Sequence, residues 1–376
     1  MDARVTGVAE LPLHRGGVPR WLFRRMVRLA NGIVTVIVEE HGTKELLTRL
    51  SDPHWFQAFG CVLGFDWHSS GVTTVVTAAL KEALNPEEHG LAVCGGKGST
   101  SRKTPLEIAE AGEVFELPED EVSRLQYASR MAAKVDNAAI QAGYPLYHHA
   151  FLLSADGLWA VVQQGMNPRD GTARRYHWLS NRVESFVVEP HAAIVGDAVR
   201  SRALDMTARE SEGCRRASTD IAKEGPERVA RLLRAIRPAH QKSLGEWVKE
   251  AGGGYEVKVL RLPRRLNWDA LRRVYETQPR NYEELLGVRG IGPATVRGLA
   301  LISELIYGEA PSWRDPVKYS FAFGGKDGVP HPVDRKAMDQ AIKFLEEAIE
   351  RAKIREKERL NALRRLQKFA PKPTKV

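Results

Sequence analysis

The sequence predicts an α+β protein: a mixed α/β domain over residues 1–195, a helical domain over 196–348, and a basic helical tail over 349–376. Three observations carry this prediction. Short runs rich in β-branched and aromatic residues, at 147–153, 159–163 and 185–188, sit among amphipathic stretches in the first half. Beyond Gly196 helical spacing takes over, broken by a glycine-rich bend near Ile291. At roughly 150 residues per domain, a chain of 376 divides into two or three domains.

The elements follow in order. Leu22, Met26, Leu29, Ile33, Val36 and Ile37 recur at helical spacing behind Pro19, which predicts a helix over 21–39. Ser51-Asp52-Pro53 reads as a cap with proline in the first turn, opening a helix through Phe56 and Phe59. A third helix over 72–84 ends at Asn85-Pro86, and Leu91-Ala92-Val93-Cys94 forms a short strand running into a loop over 95–105. Residues 118–141 predict one long amphipathic helix closed by Gly143 and Pro145. The runs at 147–153 and 159–163 flank Ser154-Ala155-Asp156-Gly157, a hairpin signal. Helices are expected over 227–236, 243–251, 268–275, 281–286 and 336–368, with a loop over most of 304–336.

Composition bounds the function. Hydrophobic residues make up 43% of the chain, with eight Trp, eleven Phe and nine Tyr, enough for a sizeable core. The longest apolar run, near Val38, falls far short of the roughly 20 residues a membrane span needs. Three unclustered cysteines (Cys61, Cys94, Cys214) exclude a disulfide framework and a cysteine zinc knuckle. The N-terminus carries no secretory pattern, so a cytoplasmic location is expected. Net charge is +9, from 56 basic and 47 acidic residues, and favours a polyanionic partner. From Glu350 onward ten cations face three carboxylates, either a grip on phosphates or a solvated helix face.

Around Ile291 the chain looks like a helix-hairpin-helix element. A first helix ends at Gly287, Gly290-Ile291-Gly292 makes a tight turn with Ile291 as an inward plug, and Pro293 opens a second helix. The amides of that helix start, with Ala294 among them, are oriented to hold a DNA phosphate without reading a base. Thr295 is expected to add a hydroxyl and Arg297 a charge. A helical hairpin used only for packing is the alternative. Glycosylases of the endonuclease-III-like superfamily join such an element to a catalytic aspartate at a later helix start, and Asp334 in Pro332-Val333-Asp334-Arg335 is similar in placement. That resemblance makes Asp334 an alternative glycosylase acid, against the simpler role of helix cap. Ala294 stands where lyase members carry a lysine, which removes Schiff-base chemistry from that position.

Chemistry in the first domain is expected from Asp66 and His68. Two residues apart on a strand, they would share a face and serve as ligands of a divalent ion, Mg or Mn. His149, Asp156 and Gln164 stand behind them as further catalytic candidates. Lys97, Arg102 and Lys103, on the glycine-rich segment 95–105, are expected to steady substrate phosphates. This segment is not a Walker loop, because Gly98 replaces the hydroxyl residue after the lysine. Arg174 and Arg175, interleaved with Tyr176 and Trp178, read as a strand-stacking nucleic-acid surface, with core as the alternative for the two aromatic residues.

Several strings together resemble the prokaryotic family called domain of unknown function 763. They are Gly7-Val8-Ala9-Glu10-Leu11-Pro12-Leu13-His14, residues 65–71 and 95–105, Val161-Val162-Gln163-Gln164-Gly165-Met166-Asn167, and residues 175–180. The resemblance spans nearly the whole chain and implies that the first domain and the hairpin form one functional unit. The leading expectation is a metal-dependent DNA nuclease of repair type. A base-excision glycosylase and a non-catalytic nucleic-acid-binding scaffold are the alternatives. DNA is the expected partner, with no membrane, and with a homodimer as an open alternative to a monomer.

Overall fold

A computed structural model describes residues 18–64, 71–196, 199–236, 262–263, 265–317 and 335–369. Apolar spacing from Met26 to Leu50 forms α1 (Arg20–Ser51), longer than its sequence signal and bent at Gly42, where φ is 81°. Asp52 caps α2 (Pro53–Leu63) as expected, its carboxylate accepting from the His54 and Trp55 amides at 2.7 and 3.0 Å. The helices α3 (Gly71–Ala83) and α4 (Pro86–His89) lead into β1 (Leu91–Lys97).

Four more strands complete an antiparallel sheet with β1: β3 (Leu146–Ser154), β4 (Trp159–Asn167), β5 (Thr172–Leu179) and β6 (Ala193–Gly196), in the order β1-β3-β4-β5-β6. The turn between Ser154 and Trp159 sets the register, pairing Leu153 with Trp159 and His149 with Gln163. A separate two-stranded pair joins β2 (Ile140–Gln141) to β7 (Leu204–Asp205). The fifth strand of the main sheet is β6, whereas residues 185–188, expected as a strand, are irregular.

Because side chains alternate along each strand, the sheet is buried on both faces. Leu91, Val93, Ala150, Leu152, Ala160, Val162 and Leu179 pack beneath α1, α2 and α3. Phe151, Leu153, Trp159, Val161, Tyr176 and Trp178 pack on the opposite side. There they meet α5 (Thr104–Val114), α6 (Glu119–Lys134) and the later helices α7 (Glu212–Lys223), α8 (Pro226–Ala235), α9 (Trp268–Thr277), α10 (Tyr282–Gly287) and α11 (Pro293–Tyr307). A mixed α/β N-terminal region is thus followed by a mostly helical one, and the two share a core.

The C-terminal helix is two helices, α12 (Arg335–Arg351) and α13 (Glu356–Phe369). Both pack against the N-terminal helices. Ile342, Leu345, Ile349 and Leu366 are buried in the layer of α1 and α2, each worth about 1.5–3 kcal/mol. Part of the tail's charge is used in that contact: Arg365 donates to the Val62 carbonyl at 2.7 Å near the end of α2, and Arg28 pairs with Glu358 at 2.9 Å. The expected long helix over 118–141 also departs from a plain α-helix. It ends at Lys134, continues as a π turn over Val135–Ala139, and enters β2. The expected loop after β1 is ordered as a 3₁₀ turn over Gly98–Lys103.

Candidate functional site

The bend near Ile291 lies at the surface. Asn281 caps α10 through the Glu284 amide at 2.9 Å, and the Ile291 amide closes the turn onto the Val288 carbonyl at 3.2 Å. Ile291 is only 3% exposed and plugs the turn, while Arg289, Gly290 and Pro293 are exposed. Gly290 has φ 93°, and a Cβ there would sit 2.8 Å from Arg273 Nη2 and from Asn267 Nδ2. A side chain at Gly292 would instead meet open space. Among the described residues no side chain caps α11. Pro293 carries no N–H and the Val296 amide bonds to the Gly292 carbonyl at 3.0 Å, so the helix start leaves the amides of Ala294 and Thr295, at the positive end of the dipole, without a side-chain cap.

The carbonyls of the bend are held from behind. Arg273 donates to the Arg289 carbonyl at 2.8 and 3.1 Å, and Lys134 Nζ donates to the Leu286 and Val288 carbonyls, both at 2.6 Å. Burial, aided by the nearby Arg130 charge, pushes the Lys134 ammonium down to about 8. Thr295 is buried, so its hydroxyl does not reach the surface as expected, and Arg297 lies 5.5 Å over the Trp313 ring.

Beside the bend opens a cleft of about 470 Å³. The 3₁₀ turn supplies Ser101 and Arg102, α6 supplies Ser129, Arg130 and Lys134, β3 supplies Tyr147, His148 and His149, and the hairpin supplies Ile291 and Gly292. Arg102 and Arg130 are exposed, as are Lys97 and Lys103 on the same turn or its flank.

A chain of buried polar groups runs inward from the cleft wall. Ser129 Oγ is 2.8 Å from His149 Nε2, and His149 Nδ1 is 2.8 Å from Gln163 Oε1. The Gln163 amide nitrogen donates to the Ala132 carbonyl at 3.0 Å and to the Asp136 carboxylate. Both of these partners are acceptors, so the Gln163 oxygen must face His149. An oxygen there requires the proton on Nδ1, which leaves Nε2 as the acceptor of the Ser129 hydroxyl. Asp136, fully buried on the π turn, also accepts from Trp178 Nε1 at 3.0 Å and from His191. Burial pushes His149 below the usual histidine range, so it is neutral.

The structure places the other expected site residues apart. His149 belongs to the cleft. Gln164 points to the opposite face of the sheet and donates to the Tyr147 hydroxyl at 2.5 Å. Asp156 is exposed in the turn at the far end of β3, hydrogen-bonded by Ser154. Arg174 and Arg175 are interior, not a nucleic-acid surface. Arg174 pairs with buried Asp315 at 2.6 Å and stacks 4.5 Å over Tyr144; Arg175 donates to His177 at 2.8 Å and to Gln57 at 3.1 Å. Tyr176 and Trp178 are core. Asp66, His68 and Asp334 lie outside the described residues. Among the described residues no group of three His, Cys, Asp or Glu side chains is placed to hold a metal ion, and no helix is long and apolar enough to cross a membrane.

Ser129, Asp136, Arg130 and Lys134 carry no site signal of their own in the sequence, and Gln163 stands out there only as one of two consecutive glutamines. One signal was available: counting outward from the 154–157 turn pairs position 149 with 163, not 164. Arg130 and Lys134 are also spaced i,i+4 on one helix. A family model described as "Protein of unknown function (DUF763)" matches residues 7–333, and the chain belongs to that family. No curated protein and no solved structure matches the chain.

Proposed function

We propose that the protein binds the sugar-phosphate backbone of DNA in the cleft between the 3₁₀ turn and the hairpin, and that it acts there as a DNA-processing hydrolase. The observation that carries this reading is one of position. The uncapped start of α11 lines the same cleft as Arg102 and Arg130. Uncapped helix-start amides and exposed cations in one concavity suit a polyanion and select no base. Function as a helix-hairpin-helix element, a cytoplasmic location and a divalent ion held by Asp66 and His68 belong to the same proposal. Gly292→Asp tests the contact. The new carboxylate enters open space, caps α11 and so preserves the fold, but it occupies the phosphate position. Fluorescence anisotropy with a labelled oligonucleotide should show salt-dependent binding by the native protein and a roughly tenfold or greater loss in the variant, about 1.4 kcal/mol. Equal affinity in both proteins would remove the hairpin from the interface.

A further inference from the structure

We infer that Ser129 is a nucleophile of the cleft, with His149 as its general base and Gln163 and Asp136 as positioning residues. The inference rests on the proposed binding of a phosphodiester backbone in the same cleft. Its first support is the order of donors and acceptors. Asp136 fixes the amide of Gln163, the oxygen of Gln163 fixes the Nδ1–H tautomer of His149, and Nε2 is left 2.8 Å from a serine hydroxyl. Nucleophile, base and orienting group stand in the sequence that activated hydroxyls require. The second support is position. Ser129 and His149, 3% and 6% exposed, line the cleft, while Gln163 and Asp136 lie fully buried behind them. A third is the local backbone: Asp136 sits on a π turn between α6 and β2, an irregularity that places its carboxylate under the sheet.

In the first step His149 Nε2 takes the Ser129 proton as Oγ attacks phosphorus. The Ser129 Oγ–P bond forms, the bond from phosphorus to one deoxyribose oxygen breaks, and that oxygen leaves with the proton returned by His149. In the second step water, deprotonated by His149, attacks phosphorus and releases Ser129, which regains a proton. The net reaction adds one water across one phosphodiester bond. Arg102 and Arg130 line the same cleft and would offset charge on the phosphoryl oxygens.

The test uses the full chain with end-labelled single-stranded and duplex oligonucleotides, with Mg²⁺ and Mn²⁺ present, read on denaturing gels and by anisotropy. The expected result is cleavage, with a protein–DNA adduct that survives denaturation and maps to Ser129. Ser129→Ala should retain DNA binding and lose cleavage by at least about 10³-fold. Gln163→Leu should lower the rate and shift its pH profile, and Gln163→Glu should recover part of the rate. If Ser129→Ala unfolds, Ser129→Cys serves in its place, and its adduct should carry the sulfur–phosphorus linkage. Native protein that binds DNA without cleaving it, or cleavage undiminished in Ser129→Ala, would overturn the nucleophile while leaving the binding reading intact. Absence of binding by the native protein would overturn both.

Discussion

His148 and His149 are neighbours in β3, yet the sheet gives them opposite surroundings. His148 turns toward α3, where Nε2 meets the Thr77 hydroxyl at 3.0 Å and Nδ1 has no hydrogen-bond partner among the described residues. His149 turns toward α6, where both ring nitrogens are engaged and one holds a hydroxyl at the cleft wall. Burial pushes both below the usual histidine range. Burial alone therefore does not distinguish a site from a core. The distinction lies in whether each nitrogen is assigned a role and whether the chain of bonds ends at a surface. On the α1–α3 face, Arg175 and His177 satisfy one another and the Leu50 carbonyl in a closed network. On the α6 face the network begins deep, at Asp136, and ends at Ser129.

The comparison can be broken most severely at an interior cation. Arg174→Met leaves Asp315 buried without its guanidinium, and should cost about 3–5 kcal/mol in denaturant unfolding. Arg174→Met with Asp315→Leu should recover much of that loss. An Arg174→Met protein as stable as the native one would show that the pair is not interior.

A pH series sharpens the contrast on the other side. Burial, with His149 and Lys97 nearby, pushes His148 down to about 3, whereas an unfolded imidazole titrates near 6.5. The unfolded chain therefore takes up protons first, so this contribution to stability is complete above about pH 6.5 and is lost as pH falls toward 3. One group shifted this far contributes on the order of 5 kcal/mol across that window. Urea midpoints should fall steadily below pH 6.5, and His148→Gln should flatten the slope. An unchanged slope in that variant would assign the acid sensitivity to other groups, His149 and His177 first.

The sequence showed much of the backbone plan and less of the site. The hairpin of β3 and β4, the Asp52 cap and the bend at Ile291 all depend on residues close in the chain, and all three were readable. Arg174 and Arg175 were misread because their partners are remote: Asp315 and Gln57 are 141 and 118 residues away in the chain. Two consecutive arginines on a strand look like a charged surface until both sheet faces are known to be covered. The helices α12 and α13 illustrate the same limit. Their charge count concealed an apolar stripe at Ile342, Leu345 and Ile349, whose i, i+3, i+7 spacing is that of a packed helix. Ser129 carries no signal of its own. It gains meaning only from β3, which brings His149 against α6, and from the register that sets Gln163 behind it.

Amide hydrogen exchange on the full chain, alone and with a short oligonucleotide at saturating concentration, tests the central claim most directly. DNA held in the cleft should slow exchange at residues 288–296 and 98–104 together, with α12 and α13 unaffected. Protection confined to the exposed cations of 351–364, with no change at either cleft segment, would contradict it.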